Sequence, residues 1–187
     1  MNQQTSSFSV PVLISLLISF SSASYAQDEH ACAASTPAQI AALLELEEGS
    51  VVEQNVYASR DGVTTTECQW QYLDQQGQKT FINFRKRERT EKLKNPLYFA
   101  SSIENEIDNG RKIGGKTVHY QALELLGLTN GAISTVHGNR FTKSLEYQWH
   151  ESEERRKRLS LARNISDEGT LAPPTQAELE ALLVLFK

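Results

Sequence analysis

Alternating apolar and polar positions between Phe141 and Asn164 predict two adjacent strands at the centre of the fold. One set of alternate positions in the first segment consists of Phe141, Lys143, Leu145, Tyr147 and Trp149, and the other set is polar. After a polar break at 151–154, the segment 155–164 carries Leu159 and Leu161 on one face. Period-two alternation is typical of a strand with one buried face. Because the connection is so short, we expect the two strands to pair as an antiparallel hairpin.

A second hairpin is predicted over residues 66–87. Cys68, Trp70 and Tyr72 share one face of its first strand, and Ile82 and Phe84 alternate along its second strand. A glycine-containing turn at 74–77 joins the two. Shorter strand patterns occur at 51–57, 117–125 and 133–136. We therefore predict an antiparallel sheet of about six strands.

Three segments have apolar positions at helical spacing. The first and last begin with capping boxes, formed by Thr36 with Gln39 and by Thr175 with Glu178. The middle segment begins at Asn95, and glycines at 49 and 110 are expected to end the first two helices. The apolar stripes consist of Ile40, Leu43 and Leu44, then Phe99, Ile103 and Ile107, then Leu179, Leu182, Leu183 and Phe186. The expected fold is a single α+β domain over residues 27–187, with three amphipathic helices packed on the sheet.

The first 26 residues have the pattern of an export signal. An apolar run at 11–20 is followed by small residues at Ser24 and Ala26, which suits cleavage after Ala26. The run is shorter than the ~20 residues that a membrane-spanning helix needs. The sequence thus predicts a periplasmic or secreted protein that is not integral to a membrane.

Cys32 and Cys68 are the two cysteines of the chain. An even pair in an exported protein predicts one disulfide, because the compartment beyond the inner membrane is oxidising. The alternative is a pair of free thiols that bind a metal, although no zinc-site spacing surrounds them.

The charge distribution indicates a candidate anion-binding surface. The net charge of −4 argues against a dedicated nucleic-acid-binding protein. Two basic segments, Arg85–Lys94 and Arg155–Arg158, nevertheless flank predicted strands and could meet at one end of the sheet. Arg155, Arg156 and Arg158 are therefore candidate contacts for an anionic partner, such as a phosphate-bearing envelope lipid or an acidic protein. A solvated charged face is the alternative interpretation.

The order of these elements resembles a group of small exported bacterial proteins with a PsbP-like α/β sandwich. The resemblance is carried by a cysteine before an amphipathic helix, a Cys68-Gln69-Trp70 strand, a second helix, and Gly127-Leu128 followed by Ala132. Thr129-Asn130 replaces the usual Gly-Asp pair of that group, and the lipid-bearing cysteine is absent. The resemblance implies the α/β sandwich fold and a binding role.

Sequence motifs for catalysis are absent, and none predicts a cofactor. The chain has no Gly-x-Ser-x-Gly elbow, no His-Glu-x-x-His, no phosphate-binding glycine loop and no dinucleotide fingerprint. We therefore expect a non-catalytic binding or accessory protein that contacts an envelope protein or a small ligand. Trp70 and Trp149 are candidate anchors if either lies at a rim of the sheet. The alternatives are an inhibitor or immunity-type protein directed at an envelope toxin or hydrolase, and an enzyme with an unrecognised site.

Overall fold

The computed structural model describes residues 30–60, 62–74, 77–89, 102–137, 142–164 and 173–187. The predicted export signal, the helix start at Asn95 and the apolar positions Phe99 and Phe141 lie outside these ranges. Among the described residues, no helix combines the length and the apolar character needed to cross a membrane.

The described strands form one large antiparallel sheet and a separate hairpin. The strands are β1 Val52–Arg60, β2 Val63–Leu73, β3 Lys79–Arg89, β4 Arg111–Ile113, β5 Lys116–Val118, β6 Gln121–Ala122, β7 Ala132–His137, β8 Thr142–His150 and β9 Arg155–Asn164. The sheet has the order β1-β2-β3-β9-β8-β7-β6, and β4 pairs with β5 alone. Both predicted hairpins are confirmed as β2–β3 and β8–β9, and the pairing of β3 with β9 joins them.

The strand count and the region 117–125 differ from the prediction. The large sheet contains seven strands where about six were expected, and the continuous strand predicted over 117–125 is wrong. β5 folds back on β4 through Gly114 and Gly115, whose positive φ values of 56° and 81° suit residues without a Cβ. The chain then leaves the extended pattern at Tyr120, whose buried hydroxyl donates to Glu146 Oε2 at 2.7 Å.

Three helices accompany the sheet within the described residues. They are α1 Pro37–Leu43, α2 Ser102–Asp108 and α3 Gln176–Leu183, and a 3₁₀ turn covers Ala31–Ala34. Both predicted capping boxes are confirmed. The predicted extension of the first helix to Gly49 is wrong, because Glu45 adopts a positive φ and the Leu46 N–H donates to the Ala41 carbonyl at 2.8 Å. This is a Schellman ending. Leu43, which was predicted to lie on the packed apolar stripe of this helix, is 38% exposed.

The apolar core lies on one face of the sheet. Aromatic and aliphatic side chains of β2, β3, β8 and β9 pack there against α1, α3 and the 3₁₀ turn. The core includes Trp70, Ile82, Phe84, Tyr147, Trp149, Leu159, Leu161, Leu179, Leu182, Leu183 and Phe186. The predicted disulfide is confirmed, with 5.0 Å between the Cα atoms of Cys32 and Cys68, and it ties the 3₁₀ turn to β2.

The opposite face of the sheet is polar along its central strands. A small second core covers its β7 side, where Ile103 of α2 packs with Tyr120 and Ala132. Next to this core, α2 and β4 stand beside the polar side chains of β3 and β9. The space between them is the candidate functional site.

Candidate anion-binding cleft

The pairing of β3 with β9 brings the two basic segments side by side. Arg85 lies directly opposite Arg158, and Arg87 lies directly opposite Arg156. All four project to the polar face, because successive side chains of a strand alternate between faces. Residues 90–94 of the first basic segment lie outside the described ranges. The arrangement therefore places two cross-strand arginine pairs on one surface.

A cleft of about 600 Å³ opens above these pairs, between the sheet and the segment formed by α2 and β4. Among the described residues, ten line the cleft; seven of these are basic, and Glu106 is the one carboxylate. The basic residues are Arg85, Arg87, Arg111, Lys112, Arg156, Lys157 and Arg158. This concentration of positive charge occurs in a chain whose net charge is −4.

Carboxylates beside the cleft hold several of these arginines in place. Glu67 Oε2 accepts from Arg85 Nε at 2.7 Å. Glu146 Oε2 lies 3.3 Å from Arg158 Nη1 and 3.8 Å from Arg111 Nη2. The same oxygen also accepts from Tyr120, whose pKa is raised by burial and by the negative charge of Glu146. One carboxylate oxygen is thus shared by two guanidinium groups and a phenol.

Arg156 forms the floor of the cleft and connects it to α2. Its side chain is 7% exposed and lies 3.1 Å from Glu106 Oε2. Arg156 also donates to Gln148, whose Nε2 donates to Glu106 Oε2 at 2.6 Å. These hydrogen bonds fix the guanidinium before any ligand arrives.

The internal carboxylates leave a positive environment inside the cleft. Burial lowers the pKa of Arg85, and the positive charge of Arg158 lowers it further despite Glu67. Burial also lowers the pKa of Arg156, which Glu106 raises and the neighbouring Arg87 and Arg158 lower. Because arginine stays protonated in proteins, the cleft holds charged guanidinium groups that are destabilised first by burial and then by one another, with Glu67 and Glu106 opposing both effects. A bound anion would relieve their mutual repulsion.

Other candidates from the sequence lie elsewhere. Trp70 and Trp149 are 0% and 2% exposed, so burial assigns both to the core and neither presents a surface to a partner. Arg155 lies opposite Glu88 on β3, and its Nε is 3.0 Å from the Glu88 carboxylate. Both side chains project to the face of the sheet that points away from the cleft. Of the three arginines proposed from the second basic segment, Arg156 and Arg158 line the cleft.

Several cleft residues were not proposed from the sequence. Arg111 and Lys112 follow directly after the turn that ends α2, and Glu106 lies on α2 itself. The basic pair Arg111-Lys112 was the one local signal, and only the packing of α2 and β4 over the sheet gives it a role.

The cysteines cannot form the alternative metal site. Cys32, Glu53 and Cys68 are the one group of three potential ligands that lies close together in the described part of the chain. Both sulfur atoms are joined in the disulfide, so the interpretation as free thiols is wrong.

Comparison with known proteins gives no relative for this chain. No family model, no curated protein and no solved structure matches it. The resemblance to PsbP-like exported proteins stays a prediction, and the function has to be argued from the cleft.

Proposed function

We propose that this protein is a non-catalytic binding protein of the periplasm or extracellular space, and that its arginine cleft recognises an anionic group of a ligand. The observation that carries the proposal is that the described residues lining the cleft include five arginines and Lys112 but one carboxylate. The seventh basic lining residue, Lys157, lies on the other face of β9, and its amine pairs with Glu151. The export pattern of residues 1–26 and the disulfide between Cys32 and Cys68 support an extracytoplasmic location.

The chemistry of the cleft favours phosphate and carboxylate groups. A guanidinium offers several N–H donors in a planar fork that matches these oxyanions. The side chains of Arg85 and Arg111 are 34% and 31% exposed, so both can contact a ligand directly. The more deeply buried Arg156 and Arg158 contribute mainly through their fixed charge, which water screens less at a buried site.

The test is calorimetric titration with inorganic phosphate and with methylphosphonate. We expect Arg85→Gln and Arg111→Gln each to weaken binding about tenfold, which corresponds to losing one charge-assisted contact. Binding to the unmodified protein should also weaken as salt is added, because screening opposes it.

Arg155→Gln is the matched control, since Arg155 belongs to the same basic segment but faces away from the cleft. It should leave the affinity unchanged. Absence of phosphate and phosphonate binding, or an equal loss in Arg155→Gln, would refute the proposal.

A further inference from the structure

We infer that the outer edge of β1 pairs with β1 of a second copy of this chain, in an antiparallel arrangement related by a two-fold axis. β1 is an end strand of the large sheet. In the described part of the chain, no main-chain group outside β2 hydrogen-bonds to the main chain of β1. The floor of the arginine cleft lies on β3 and β9, so this edge is a separate surface and the inference does not depend on the proposed function.

The side chains of β1 are exposed on both faces of the sheet. Every residue from 52 to 58 is exposed. Val52 and Val56 project to the polar face and Tyr57 to the apolar face, and they are 62%, 51% and 61% exposed, respectively. Pairing with a second strand would remove part of this apolar surface from water, which is favourable.

Contacts within the chain involve the side chains of β1 and not its outer edge. The Trp70 indole donates to Glu53 Oε2 at 3.1 Å, and Asn55 Nδ2 lies 2.8 Å from His30 Nδ1. Both contacts lie on the apolar face, because Glu53 and Asn55 share the side of the strand that faces the core. The main-chain groups that point away from β2 are therefore positioned to bond to another strand.

The two ends of the sheet differ in how they are protected against such pairing. Natural proteins protect edges with proline, lysine, bulges or very short strands. At one end of the sheet, β6 has two residues. At the other end, β1 has nine residues without proline, glycine or lysine, and each of them lies opposite one residue of β2 with no bulge. A long, regular edge of this kind is the geometry that accepts an added strand.

The sequence of β1 is compatible with an antiparallel copy of itself. Val56 is the midpoint of the nine residues, so two-fold pairing over the full length places it opposite Val56 of the second copy. Glu53 then lies opposite Ser59 of the second copy. Arg60 lies opposite Val52, so neither charged residue of β1 faces a like charge.

The symmetry limits the assembly to two copies. A two-fold pairing uses the β1 edge of both copies and closes, and β6 is too short to continue the sheet from the other end. One pair of strands buries less surface than a standard interface of about 1,600 Å². We therefore expect a reversible dimer that dissociates on dilution into the micromolar range.

Sedimentation equilibrium from low micromolar to submillimolar protein concentration measures this association. The unmodified protein should show one monomer–dimer equilibrium. Val56→Lys should weaken it about tenfold or more, because two ammonium groups then lie directly opposite each other at the axis. Val184→Lys is the matched control, since Val184 is 54% exposed and directly follows α3. It should leave the dimer unchanged.

A charge-reversal pair tests the position of the axis. Val56→Glu alone should also be mostly monomeric, whereas an equimolar mixture of Val56→Lys and Val56→Glu should associate, because opposite charges then meet. Both variants should unfold at nearly the same urea concentration as the unmodified protein, since Val56 is exposed. A chain that is monomeric at every concentration would overturn the inference and leave the edge to a strand of another protein. A dimer that persists in Val56→Lys, or folded variants whose mixture does not associate, would also overturn it.

Discussion

At the residue scale, Tyr147 and Gly131 show how one contact holds a long loop against the sheet. The Tyr147 hydroxyl lies 3.1 Å from the Leu123 carbonyl oxygen and accepts from the Leu125 N–H at 3.3 Å. Burial raises the pKa of this phenol, so it remains a neutral donor at physiological pH. A Cβ added at Gly131 would overlap the Tyr147 hydroxyl. Glycine at 131 is therefore required for close approach and not for an unusual backbone angle.

Gly131→Ala should lower the free energy of unfolding by about 1–3 kcal/mol, because the overlap forces the loop or the ring to move. Tyr147→Phe should cost about 1–3 kcal/mol, since it leaves buried main-chain groups without their partner. Urea unfolding measures both effects. The double variant should lose less than the sum, because the two sites are in contact. Strict additivity would contradict the proposed overlap.

At the element scale, α3 is attached to the sheet by charge as well as by its apolar stripe. Glu178 accepts from the Thr175 N–H at 2.7 Å, which caps the helix, and it also pairs with Arg163 of β9. Arg163 Nε lies 3.4 Å from Asp74 Oδ2, in the turn between β2 and β3. Burial raises the pKa of Glu178, but the hydrogen bonds from Arg163 and Thr175 outweigh it and the net pKa is lowered.

The direction of this pKa shift predicts an acid-dependent loss of stability. The folded state holds Glu178 ionised below its ordinary value of 4.5, so its contribution is present above that pH and disappears as the pH falls through the lowered pKa. Glu178→Gln should cost about 1 kcal/mol or less at pH 7, since the pair is partly screened. It should also flatten the decline of stability below about pH 4.5.

Stability curves between pH 3 and pH 7 measure this effect. Glu180→Gln is the control on the same helix, because Glu180 accepts from Gln176 of α3 itself. If stability declined equally steeply below about pH 4.5 in Glu178→Gln and in the unmodified protein, the lowered pKa would not belong to Glu178.

At the scale of the whole molecule, the two faces of the sheet have different roles. The apolar face, which includes the disulfide, supplies the core, and the polar face presents the arginine cleft. The destabilising repulsion in the cleft is thus offset by the burial of apolar side chains on the other side of the same strands. This division explains how β3 and β9 can hold four arginines on one surface.

Replacing Cys32 and Cys68 with alanine should lower stability by up to about 4 kcal/mol, the chain-entropy value for a loop of this length. The bond closes a sequence separation of 36 residues. The free energy of unfolding should fall by the same amount in the double variant and in the reduced protein. The intact mass of the unreduced protein should be lower than that of the reduced protein by two hydrogens. Two thiols that alkylate readily in unreduced, native protein would contradict the bond.

Much of the fold follows from interactions between residues close together in the sequence. Capping boxes, helical stripes and the two hairpins depend on spacings of two to four residues or on short turns. The spacing of Thr36 and Gln39 was therefore sufficient to predict the helix start, and the alternation of Trp70 and Tyr72 was sufficient to predict the strand. The division of 117–125 was missed because the burial of Tyr120 against α2 and Glu146 outweighs the local strand pattern.

The sequence by itself determined the α+β class, the disulfide partners and the existence of two basic segments. Only the tertiary structure decided that β3 lies beside β9, because a period-two pattern is the same whichever strand becomes the neighbour. That pairing sets Arg85 opposite Arg158, and the packing of α2 and β4 adds Glu106 and Arg111. The cleft is assembled from segments that are distant in sequence, so no local motif could reveal it.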